Sequence, residues 1–375
     1  MRKEELRELI VFSILIVAAL VVGLAAIRPT LADYSPVKMS EFGFIIVVLI
    51  IAYLFNAIGL EVLHLLGALF GGYKVTSFNI FGLCLYKNEN KWKFGFRDFN
   101  GINGETIAAP RKEKTNANLI AWFPLFGYAV ELATCVVLAY LVKIQTIKEP
   151  QWLRSAAVIF ILVSSMLAFY NFVPVKLGSM TDGYRIRLFT KPVNLEAYNK
   201  MLVIQEEQRL GKNIENIPVF EEITEYTAEI NMFAMYKLLE EEKYDEALKI
   251  IDQLLEHKKV LNGSDHNRLI AQKLYLAILK DPIEEAKALY EEICPIEIRR
   301  FIANDMSMPC IRAYILIAGM IEGSEGEVNF AKAKIEKAKK RSLAYEVKAE
   351  EVLLEKALKL VYESHPKWGK EKAAE

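Results

Sequence analysis

The sequence predicts a mostly α-helical, polytopic membrane protein with a small inserted β-hairpin and a soluble helical domain behind it. Three observations predict this class. Hydrophobic residues make up 53% of the 375, and mean hydropathy is positive. Long stretches of the first half are almost free of charge, whereas the second half alternates charged and apolar residues and has few strand formers. A chain of this length holds about two to three domains. The shift in composition divides it into a membrane domain over 1–192 and a helical-hairpin domain over 193–375.

Four runs carry the membrane reading. The first, 9–27, is uncharged and follows Arg2, Lys3 and Arg7. A basic start before an apolar run also outlines a secretory signal, but the length suits a retained anchor. The second run is uncharged over 42–60 and then holds only Glu61 and His64 before Tyr73, so a helix is expected over 42–70. The third has one charge, Glu131, and a helix is expected over 118–142; the fourth, 155–175, has none. About 20 apolar residues cross a bilayer core, so all four runs qualify as spanning helices.

Between the second and third helices, Val75, Phe78, Ile80, Leu83 and Leu85 precede the turn-like "KNEN", and Trp92, Phe94 and Phe96 then alternate with Lys91, Lys93 and Arg97. Apolar alternation around a turn predicts a β-hairpin over about 73–108, with "GINGETIAAPRKEK" adding Gly turns and a third short strand. The aromatic residues read first as packing. An edge strand in this place could also pair with an extended peptide.

Lys and Arg counts orient a membrane protein. They are three before the first run, two over 28–41, eight over 71–114, three over 143–154 and four over 176–191. The alternation predicts a multi-pass protein of the cell membrane with both termini in the cytoplasm. The formal net charge is zero, which gives no footprint for nucleic acid. Cys84, Cys135, Cys294 and Cys310 form no C-x-x-C pair, so neither a disulfide framework nor a Cys-rich metal site is indicated.

The second half reads as helical hairpins. Met235, Leu238 and Leu239, then Leu248, Ile251, Leu254 and Leu255, recur at helical spacing around "KYDEAL". "KDPIEEAKALYEEI" and "NFAKAKIEKAKK" echo that unit loosely. A divergent tetratricopeptide-like array is expected, of the kind that leaves a face for a protein partner.

The intramembrane polar residues need a reason, because charge at bilayer depth is costly. They are Glu61, His64 and Glu131, with Asp182 just past the fourth helix and Asn171 and Pro174 at its end. Positions 60 and 64 lie one turn apart on one helix face, with 61 beside them. In a helical H-E-x-x-H the two imidazoles bind zinc and the Glu is the base for the metal's water. Here "LEVLH" keeps the Glu and the second His, and Leu60 fills the first His position. The plainer reading is a Glu–His pair acting as interhelical glue.

The stretch "LEVLHLLGALFGGYKVTSF", the later "GINGETIAAP" and then "NFVPVKLGSMTDGYRI" together resemble the site-two-protease family of zinc-dependent intramembrane proteases, over roughly 42–190. The matching elements are an altered H-E-x-G-H, a Gly-containing loop ending in Pro, and an N-x-x-P with D-G. The resemblance implies Asp182 and His64 as zinc ligands and Glu61 as base. It implies that Asn171 and Pro174 shape the loop presenting Asp182, and that Gly183 permits the turn after it. Three positions depart from the family. Leu60 replaces a ligand, Leu63 replaces a Gly, and Glu131 stands where the family commonly has Asn. A catalytic zinc takes three protein ligands and an open position. Glu131 could be the stand-in ligand or a structural hydrogen-bond partner.

Three functions follow as expectations. One is a catalytically impaired family member that binds membrane proteins or peptides. Another is an active zinc metalloendopeptidase with an unusual ligand set. The last is a membrane anchor displaying a helical interaction domain.

Overall fold

The computed structural model describes residues 39–81, 83–88, 91–96, 105–111, 115–144, 151–177, 179–210 and 216–368 without 342–343, and single positions elsewhere. The expected first span, 9–27, lies almost wholly outside the described residues. The chain divides into two units, Met1–Val203 and Ile204–Glu375.

Three helices of the first unit are long and apolar enough to cross a membrane: α1 (Met39–Phe70), α2 (Asn118–Lys143) and α3 (Gln151–Phe172), with apolar windows Gly43–Phe70, Asn118–Lys143 and Leu153–Phe172. All three pack on one another. α1 and α2 touch backbone to backbone at Gly67, where an added Cβ would lie 2.5 Å from the Leu119 carbonyl oxygen. α3 stops at Phe172, short of the expected 175, because Pro174 disfavours helical geometry in the residue before it.

Behind β1 (Tyr73–Ile80), the expected hairpin around "KNEN" is present as β2 (Leu83–Asn88) paired with β3 (Lys91–Phe96), with Asn88 opposite Lys91. With the expected further strand, β4 (Glu105–Pro110), it is part of a larger four-stranded antiparallel sheet in the order β3-β2-β1-β4. The run from Val75 to Leu85 is broken in two by Phe81, which turns with a φ of 51°. β4 pairs with β1, with a register shift between Val75 and Ser77. The sheet lies alongside α1: the Phe81 ring is 6.1 Å from the Tyr53 ring, and Tyr53 is about 25 Å along the helix from Phe70. Trp92 and Phe94, expected as packing residues, are 51% and 63% exposed.

After α3 come a short pairing of β5 (Lys176–Leu177) with β6 (Ser179–Met180), then α4 (Asp182–Phe189) and α5 (Pro192–Arg209). The boundary between units falls inside α5 rather than at 192/193. The start of α5 is tied to the first unit, since Tyr73 Oη and Thr115 Oγ1 both donate to Asn199 Oδ1, at 2.5 and 3.2 Å.

The regular secondary structure described in the second unit is all helical, after a non-helical stretch over 216–224. α6 (Glu225–Glu240), α7 (Tyr244–Glu256), α8 (Gly263–Lys280) and α9 (Ile283–Ile293) each pack on the next. α10 (Ile296–Asn304) leads into α11 (Met308–Leu316), which packs on both α8 and α14 (Ala344–Ser364). A π-helical turn (Ile317–Ile321), α12 (Glu325–Lys332) and α13 (Ile335–Arg341) lie between. Met235, Leu239, Ile251 and Leu254 are fully buried, as the helical spacing requires. Arg312 is fully buried too, donating to Glu350 at 2.8 Å and Gln272 at 2.7 Å and lying over the Tyr275 ring.

Candidate functional site

Glu61 and His64 sit on one face of α1 because residues three apart are helix neighbours. Both are buried, and His64 Nδ1 is 3.5 Å from Glu61 Oε1. Opposite them stands Asp182, also buried, with Oδ1 2.9 Å from His64 Nε2. These residues are 118 positions apart, so only the fold unites them. Glu61 has a second partner in β4, where Thr106 Oγ1 donates to its Oε2 at 3.0 Å.

Local chemistry places Asp182. Thr181 caps α4, its Oγ1 accepting from Tyr184 N and donating to the Val173 carbonyl at 2.6 Å. That leaves Asp182 in the first turn, where the helix dipole favours a carboxylate. Burial pushes the Asp182 carboxyl up, but His64 and then Arg185, 3.6 Å away, hold it below the ordinary carboxylate range. Gly183 lies inside α4 with no positive φ, so its role is not the expected turn. Its lack of a side chain lets α4 meet the end of α3: a Cβ would stand 2.3 Å from the Phe172 carbonyl oxygen. Asn171 Nδ2 donates to the Leu167 carbonyl at 3.0 Å. Its side chain also bonds Tyr128. Pro174 is exposed.

The departures from the motif are accommodated by packing. Leu60 packs against Leu125, Tyr128 and Ala168. Leu63 fills the space over Gly127, where a Cβ would meet its Cδ1 at 2.2 Å. Glu131 is hydrogen-bonded to Ser164 on α3.

A catalytic zinc calls for three protein donors around one point. Among the described residues no group of three or more His, Cys, Asp and Glu side chains is arranged to hold a metal ion. His64 and Asp182 face each other, an aliphatic side chain occupies the third position, and Glu131 is engaged elsewhere. This donor set does not fit a catalytic zinc. What the arrangement does is tie α1, β4 and α4 together through Thr106, Glu61, His64 and Asp182.

Reading the sequence for charge alone passed over Thr106 and Tyr128, and also Asn56 and Ser164, which are buried near the middle of helices long and apolar enough to cross a membrane. Polar uncharged residues inside an apolar run were the available signal. Comparison of the chain with models of protein families, with curated proteins and with solved structures gives no match.

Proposed function

We propose that this chain is a membrane-embedded relative of the site-two-type intramembrane metalloproteases that has lost hydrolysis and works by binding membrane segments or partner proteins. One observation carries the reading. His64 and Asp182, 118 residues apart in sequence, meet at 2.9 Å, which supports the pairing the resemblance implies, while Leu60, at the position of the altered ligand, packs against the apolar cluster of Leu125, Tyr128 and Ala168. Loss of one imidazole removes a large part of a metal site's binding energy. The same proposal includes the 9–27 run as a fourth span, cytoplasmic termini in the cell membrane, and a tetratricopeptide-like second unit serving a protein partner.

The test is cleavage of an unfolded membrane peptide in proteoliposomes supplied with zinc. Wild type leaves the peptide intact, and Leu60→His, with the third ligand restored, is the variant in which cutting is expected. Cleavage by wild type that Glu61→Gln abolishes would overturn the loss of hydrolysis.

A further inference from the structure

A second polar cluster joins the three spans, five residues along α1 from Glu61. Asn56 on α1 is 5% exposed and Ser164 on α3 is fully buried. Asn56 Nδ2 donates to Ser164 Oγ at 2.9 Å and to the Ala52 carbonyl at 2.8 Å. Ser164 is hydrogen-bonded in turn to the Glu131 side chain on α2. Because Ser164 Oγ accepts from Asn56, its own proton is available to the carboxylate. Two acceptors are then left over: Asn56 Oδ1 and Glu131 Oε1 are buried with no hydrogen-bond partner.

Position makes those two oxygens significant. Asn56, Glu131 and Ser164 each lie near the middle of their apolar windows, so all three meet at the depth where water is scarcest. A half-buried carboxylate with one oxygen shut inside the bundle at that depth is stabilised by a compensating charge. Its neighbours are Tyr128 and Cys135 on α2 and Ser164 on α3, with Ser165 bonded to Cys135 and Asn56 of α1 reaching the cluster through Ser164. Among the described residues no Lys, Arg or His forms an ion pair with Glu131. Orphaned acceptors are satisfied by something that brings positive charge, and oxygen donors suit hard cations.

We propose that Asn56, Glu131 and Ser164 form a binding site for one monovalent cation, Na⁺ or a proton, at the middle of the membrane unit. The site is separate from Glu61, His64 and Asp182 and does not depend on whether those residues hold zinc. Occupancy neutralises Glu131 and holds the three helices together.

The experiment follows thermal unfolding of the full chain in detergent, in NaCl against choline chloride at equal ionic strength, and over a pH series without Na⁺. Wild type, Glu131→Gln and Asn56→Leu are compared. For Na⁺, the midpoint of wild type rises by several degrees with NaCl but not with choline, and both variants lose that rise. For a proton, the midpoint of wild type falls as pH rises, Na⁺ has no effect, and Glu131→Gln flattens that part of the profile. Identical responses of wild type and Glu131→Gln to Na⁺ and to pH overturn the proposal. Should Glu131→Gln fail to fold, radiolabelled Na⁺ binding and the infrared band of a protonated carboxyl are measured on wild type. Absence of both overturns it equally.

Discussion

Gly183 shows how a single residue sets the position of Asp182. Its α-carbon faces the Phe172 carbonyl, and a methyl group there would lie 2.3 Å from that oxygen. The obstacle is backbone, so α4 must shift to admit it. Gly183→Ala is expected to cost at least about 1–3 kcal/mol, as overpacking does, and to pull Asp182 away from His64. The check is the unfolding midpoint in detergent; an Ala variant as stable as wild type contradicts the packing account. The presence of Gly183 beside Asp182 was legible in the sequence as part of a D-G pair. Its reason was not, because a turn and a close helix contact leave the same letter in the chain. The reverse holds for Leu60, whose chemistry alone rules out metal ligation and needed no coordinates.

At the scale of elements, helix contacts depend on matched large and small residues. Leu63 of α1 fills the space above Gly127 of α2. Gly127→Ala is predicted to destabilise by about 1–3 kcal/mol, and adding Leu63→Ala should recover a good part of that loss in a double-mutant cycle. Simple additivity of the two would contradict the pairing. In the second unit, Arg299 Nε and Nη2 donate to the two Glu322 oxygens at 2.6 and 2.8 Å, and Tyr290 Oη donates at 2.8 Å. Burial pushes the Glu322 carboxyl up, but these donors hold it below its ordinary value of 4.5. A depressed carboxylate adds stability above the unfolded value, and the gain is lost as pH falls through the folded one. The unfolding midpoints of wild type and Glu322→Gln should therefore differ at neutral pH and converge below about pH 4.5. A constant difference would contradict the network. The helices were readable from apolar runs and spacing. The β2–β3 hairpin was readable from "KNEN", but β1 was not separated from β2, because the single Gly82 in "NIFGL" fits a bulge in one strand as well as a turn between two. The pairing of β1 with β4 depends on a contact across the chain.

At the scale of the molecule, three apolar helices and a sheet running beside α1 bring together residues 118 positions apart in the sequence. The meeting of His64 with Asp182 could be expected only from the family resemblance, since no spacing rule links positions so far apart. The Asn56–Ser164–Glu131 cluster escaped because two of its members carry no charge. Both clusters sit in one bundle, and only the first carries the resemblance on which the proposed function rests. The central proposal is that His64 and Asp182 pair with each other and hold no resident zinc. The most direct measurement is the zinc content of detergent-purified full-length protein, wild type beside Leu60→His. The expected result is wild type with far less than one zinc per chain and Leu60→His with a clear gain. Stoichiometric zinc in wild type, lost on His64→Ala, would contradict the claim.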